Sequence, residues 1–79
     1  MEEINENDQS ILVFKTNLTY DKDVRRISSL LDNIRGIIRW NVDLSDIDSV
    51  LRIESIRITP NYIIQLIASA GYSCAELPD

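Results

Sequence analysis

The spacing of apolar residues along this chain switches repeatedly between two and three-to-four, and the order of the switches leaves few folds open. Ser10 to Leu18 is rich in β-branched and aromatic residues and reads as a strand. Val24, Ile27, Leu30, Leu31 and Ile34 then recur as one stripe of an amphipathic helix, with Asp21 or Thr19 as its cap and Gly36 placed to end it. From 37 to 44 the chain alternates, with Ile38, Trp40, Val42 and Leu44 on one face and Arg39, Asn41 and Asp43 on the other. Ser45-Asp46-Ile47-Asp48 supplies turn chemistry, and Val50 to Glu54 is a third strand forming a hairpin with the second. Thr59-Pro60 starts a second helix, because Thr caps and Pro fits the first helical position. Ile63, Leu66, Ile67 and Ala70 form its apolar stripe, Gly71 ends it, and Tyr72 to Leu77 is a fourth strand.

Strand–helix–strand–strand–helix–strand with right-handed crossovers predicts an α+β, ferredoxin-like βαββαβ sandwich. Two helices should cover one face of a four-stranded antiparallel sheet of order 4-1-3-2. The parity of the second strand puts Trp40 on the helix side with Ile38 and Val42. On the uncovered face parity places Ile11, Val13, Val50, Ala75 and Leu77. An apolar patch there is a candidate surface for a protein partner or for self-association.

A chain of 79 residues suffices for one domain, and the net stability of a core this size is roughly 3–5 kcal/mol. Residues 1–9 are polar and aperiodic and read as a flexible acidic tail, which leaves 10–79 as the folded domain. Of the net charge of −5, residues 1–10 contribute four acids and no base; the rest holds eight bases and nine acids. A nearly neutral body attracts phosphate backbones weakly. Ile11 to Phe14, the longest apolar run, is too short for a membrane span or a signal segment, so a cytoplasmic location without membrane contact is expected.

No histidine is present, which rules out histidine-based triads and proton shuttles. Two glycines make no phosphate-binding loop. Asp43, Asp46 and Asp48 lack the glycine and terminal glutamate of a calcium loop and read as a hairpin turn. The lone cysteine, Cys74, reads as a small buried hydrophobe lying mid-strand, with no basic residue nearby in sequence to activate it. RNA-binding domains with this strand order stack bases on exposed aromatics of the first and third strands. With Phe14 facing the helices, the corresponding positions are Ile11, Val13, Lys15, Val50 and Arg52. None is aromatic, so no nucleic-acid partner is expected, and Lys22, Arg25 and Arg26 read as a solvated basic face. No residue set supports catalysis.

The stretch Leu18-Thr19-Tyr20-Asp21-Lys22-Asp23-Val24-Arg25-Arg26-Ile27 resembles the Met-Thr-Cys-x-x-Cys-Val-x-x-Ile of heavy-metal-associated (HMA) domains and copper chaperones. Gly36-Ile37-Ile38-Arg39-Trp40-Asn41-Val42-Asp43-Leu44 is similar to that family's glycine, alternation and Asp-Leu ending, and Ala70-Gly71-Tyr72 to its Ala-Gly-Tyr. The resemblance covers residues 10–77. It implies that Leu18, Thr19, Tyr20, Asp23 and Tyr72 surround what would be a metal loop, with Tyr20 and Tyr72 placed to close over it. The two cysteines that would bind Cu(I) or Zn(II) are here Tyr20 and Asp23. A phenol and a carboxylate do not replace thiolates for a soft metal, so no metal or other cofactor is expected. The resemblance thus implies a non-catalytic, HMA-like interaction module. A metal carrier with a non-standard ligand set and a small-molecule sensor of the similarly folded ACT type are the alternatives.

Overall fold

Leu12 and Phe14 on one strand and Leu51 and Ile53 on its neighbour point into a single buried layer with Ile27 and Leu31 of one helix and Ile63 and Ile67 of the other. The computed structural model describes residues 9–78; residues 1–8, which hold all but the last position of the expected tail, and residue 79 lie outside it, while Gln9, the last residue of that expected tail, opens the first strand instead. The elements are β1 (Gln9–Thr16), α1 (Asp21–Leu31), β2 (Ile37–Asp43), β3 (Val50–Ile56), α2 (Pro60–Ser69) and β4 (Cys74–Glu76). All strand pairs are antiparallel, in the order β2-β3-β1-β4. This is the expected ferredoxin-like sandwich in the expected strand order.

The two helices stop by different means. At the end of α2, Gly71 adopts φ +93°, its N–H bonds Ala68 O, and the Tyr72 N–H bonds Ile67 O. These two bonds make a Schellman motif, which needs a left-handed residue at this point. The end of α1 corrects the sequence expectation. The helix stops at Leu31 rather than near Gly36, with Asp32 as its C-cap, and Ile34 lies beyond it. Asn33 Nδ2 donates to Ser29 O, and Trp40 Nε1 donates to Asp32 Oδ1 at 2.9 Å, so both side chains favour the turn over further helix. Gly36, at φ +96°, serves the start of β2 instead. Its carbonyl accepts the Ile56 N–H, and a Cβ there would lie 2.7 Å from Ile56 O.

Trp40 and Val42 face the helices, opposite the buried Ile53 and Leu51. Ile38 does not join them. The β2–β3 register shifts between Ile37 and Arg39, so Ile37 takes the inward place opposite Ser55. Ile38 is the extra residue of the bulge, 45% exposed, and lines an outer groove with Ile11 and Glu54. The end strand β4 is also shorter than expected, so Cys74 opens it opposite Thr16 rather than lying mid-strand.

Candidate functional site

Four residues link β1 to α1, and the first turn of α1 folds back onto them. Tyr20, not Thr19 or Asp21, is the N-cap. Its side chain makes no capping bond. The cap is supplied by Asp23, three residues on, whose Oδ2 accepts the backbone N–H of Tyr20 at 3.0 Å and of Thr19 at 3.1 Å. This is the acidic half of a capping box, satisfying donors that would otherwise be orphaned at the helix start. Asp23 Oδ1 accepts the hydroxyl of Tyr72, from the turn after α2, at 2.8 Å. The carboxylate is 8% exposed and holds three donors.

The electrostatics follow from those bonds. The Tyr20 N–H first, then the Tyr72 hydroxyl, hold the Asp23 carboxyl below its ordinary 3.8, against desolvation, which pushes it up. The same hydrogen bond pushes the Tyr72 phenol above its ordinary 10.0, with desolvation adding and the Arg26 guanidinium opposing. At neutral pH the loop therefore encloses a carboxylate, already coordinated by its own chain.

Neighbouring bonds fix the loop from two further sides. Asn17 Oδ1 accepts the Ser73 N–H at 2.8 Å, tying the loop again to the turn after α2. Ser49 Oγ donates to Leu18 O, Thr16 Oγ1 donates to Ser49 O, and the Thr16 N–H bonds Asp48 O, tying it to the β2–β3 hairpin. Leu18 itself is 1% exposed and anchors the loop in the core. Thr19 is exposed, its hydroxyl bonded to Asn17 O.

Of the residues expected around the loop, Asp23 and Tyr72 come together and Tyr20 does not. Tyr20 is 62% exposed and turns outward, with the Lys22 ammonium 5.4 Å from its ring centre. Only Tyr72 closes over the loop. The resemblance sets Asp23 and Tyr72 at the same loop but says nothing of the bond between them; an acid at the third helical position is the one sequence signal for the cap role of Asp23. Among the described residues no three His, Cys, Asp or Glu side chains cluster as a metal site. The thiol of Cys74 is half-buried, and desolvation pushes it up to about 11. No helix of the described residues is long and apolar enough to cross a membrane.

On the uncovered sheet face, Ile11 lies opposite Glu54, Val13 opposite Arg52, Lys15 opposite Ala75, and Val50 opposite Asp43. The Leu77 N–H bonds Val13 O, which sets Leu77 beside Val13 and Ile11 around one shallow groove. Ile11, Val13 and Leu77 are thus contiguous. Ala75 is reached only past Lys15, and Val50 stands among charged neighbours rather than in the same patch.

Neither a family model nor a curated protein matches the sequence. Solved structures do match. The copper(I)-loaded first domain of the human copper chaperone for SOD1, CCS, superposes with a TM-score of 0.74 at 16% identity, over 86% of this chain and 92% of that one. The apo HMA domain of a copper chaperone for superoxide dismutase gives 0.71 at 15% identity, over 99% and 79%. A chain of the Atx1–Cu(I)–Ccc2a complex gives 0.75 at 17%, over 87% and 96%. The fold is that of the HMA domains. At these identities the likeness speaks for the fold, and the chemistry of the loop has to be read from Asp23 and Tyr72.

Proposed function

We propose that the protein is a non-catalytic protein-interaction module on the HMA fold, in which a carboxylate occupies the interior of the former metal loop. The observation that carries this reading is the position of Asp23. It stands where the second cysteine of the resembling motif would be, and its oxygens are engaged by two backbone N–H groups and a phenol. A soft metal needs thiolates pointing into that space, and the chain's one thiol, at Cys74, has too high a pKa to be a ready ligand. Lys22, over the Tyr20 ring, and Arg26, beside the Tyr72 hydroxyl, bring positive charge to the loop against the acids Asp21 and Asp23.

The contiguous Ile11, Val13 and Leu77 on the open sheet face are the proposed partner surface, with Val50 and Ala75 at its margin. A patch in which Ile11 is exposed and Val13 and Leu77 are half-buried, rimmed by Arg52, Glu54, Glu76 and Lys15, suits a protein partner better than RNA or lipid. One of the similar structures is a complex of two proteins, which supports protein docking as a use of this fold.

A second reading, a copper carrier with a non-standard ligand set, is favoured by the copper domains among the similar structures. Competition titration of the native protein against a Cu(I) indicator separates the two. The proposal expects no competition; tight Cu(I) binding by the unmodified chain overturns it in favour of the carrier. For the surface, Val13→Glu should reduce partner capture without changing the circular dichroism spectrum, and unchanged capture removes the sheet face from the proposal.

A further inference from the structure

Two features at opposite ends of the sheet have complementary chemistry. At one end the β2–β3 turn presents Ile47, 98% exposed, between Asp46 and Asp48. The turn is held in shape: Asp46 Oδ1 accepts the Asp48 N–H at 2.8 Å, the Ser49 N–H bonds Asp46 O at 2.9 Å, and Asp48 O accepts the Thr16 N–H at 2.9 Å. An isolated exposed isoleucine is ordinary. One held on a hydrogen-bonded turn between two carboxylates is a pre-shaped apolar knob with a negative collar.

At the other end, where α1 finishes and α2 begins, lies an open cleft of about 440 Å³. Ile34 and Ile58 give it apolar lining, Arg35 gives it positive charge, and Thr59 and Tyr62 belong to the start of α2. The α2 N-terminus has no acidic residue in its first turn, so its dipole adds to the positive character of that end. The seven residues of β3 separate the knob from the cleft, a span of roughly 20 Å. One molecule cannot satisfy itself.

We infer that the protein self-associates head to tail, with the Ile47 turn of one copy seated in the Arg35–Tyr62 cleft of the next. Apolar matches apolar at the centre, and the Asp46 and Asp48 carboxylates meet the Arg35 guanidinium and the positive end of α2. Because knob and cleft are different surfaces, each contact leaves one of each free, and growth is open-ended rather than stopping at a symmetric dimer. The charged rim makes the association weaken with salt. This contact involves neither the loop around Asp23 nor the open sheet face, so it stands or falls apart from the proposed partner surface.

Sedimentation velocity over rising protein concentration, up to about 1 mM, is the test. Wild type should show concentration-dependent association, reduced by raising the salt. Ile47→Asp and Arg35→Glu, both exposed-site changes checked by circular dichroism, should each weaken it at least tenfold; Ile47→Ser serves as a second knob variant that adds no charge. The decisive step is mixing. The Ile47→Asp protein keeps a cleft and the Arg35→Glu protein keeps a knob, so an equimolar mixture should form a 1:1 heterodimer and nothing larger. A monomeric wild type, undiminished association in either folded variant, or a mixture that does not pair overturns the inference. Val13→Glu should leave the association unchanged.

Discussion

The Tyr72 hydroxyl donates a 2.8 Å hydrogen bond to Asp23 Oδ1 and so joins the turn after the second helix to the first turn of the first helix. The Schellman motif at Gly71 delivers Tyr72 to that point, and the backbone of Thr19 and Tyr20 holds Asp23 to receive it. Loss of either partner leaves the other polar group short of a bond in a mostly enclosed position.

The pH dependence of this clasp has a definite sign at each end. Asp23 is depressed below 3.8, so its contribution is fully present above that value and is lost as the pH falls through the lower, folded-state value. Tyr72 is raised above 10.0, so its contribution is fully present below 10.0 and is lost as the pH rises through the higher, folded-state value. Thermal denaturation of wild type and Asp23→Asn should therefore differ most near neutrality and converge in acid. A difference that persists unchanged well below pH 3.8 would mean that the carboxylate charge is not what holds the loop.

Placing thiolates in the loop tests how far it shares the geometry of the metal loop it resembles. Tyr20→Cys with Asp23→Cys puts two thiols three residues apart at the helix start, and the double variant should compete with a Cu(I) indicator. Tyr20→Cys alone keeps the Asp23 clasp and should not compete; Asp23→Cys alone breaks the clasp and supplies one thiol. A folded double variant that binds no better than wild type would separate this loop from the metal loop it resembles.

Ser55 stands inside the core, 0% exposed, with no hydrogen-bond partner for its Oγ among the described residues. A buried hydroxyl left unpaired is destabilising, so Ser55→Ala should raise the free energy of unfolding by on the order of 1 kcal/mol. Urea denaturation measures it. A loss of that size instead would reveal a hydrogen bond that the hydroxyl makes.

Cys74 should be slow to alkylate. With its thiol at about 11 against an ordinary 9.0, the thiolate fraction at pH 8 is lower by roughly 100-fold, and thiolate is the reactive form. Reaction with iodoacetamide should be correspondingly slow in the native state and fast in urea. Equal rates in both would show that the thiol is not desolvated.

The element order was readable because the core pattern is local. Leu12 and Phe14, Ile27 and Leu31, Ile63 and Ile67 each declare their period within one element. The helix-side position of Trp40 followed from parity alone. Parity failed at Ile38, since two adjacent isoleucines with Arg39 after them do not say which one is the bulge; the pairing with Ser55 and Glu54 decides that, and it is not local. The end of α1 was misplaced because Ile34 continues the helical spacing in sequence, while Trp40, eight residues beyond Asp32, favours the turn. The contact between Asp23 and Tyr72 spans 49 residues. The resemblance places each residue at the loop, but that the phenol bonds the carboxylate, with Tyr20 turned away, is set by how the two turns pack.

The bulge at Ile37–Arg39 has a further effect on how this molecule behaves in a crowded solution. The outer strands of the sheet are β2 and β4, and an uninterrupted outer strand is a template on which foreign backbone can crystallise into fibrils. Here one rim is kinked by an extra residue and carries the Arg39–Glu54 ion pair, while the other runs for three residues before Pro78 follows closely. Neither rim offers a long flat row of open amide groups. The domain is thereby shielded from amyloid-type stacking along its sheet, and concentrated samples should remain free of thioflavin-positive deposits while the fold is intact.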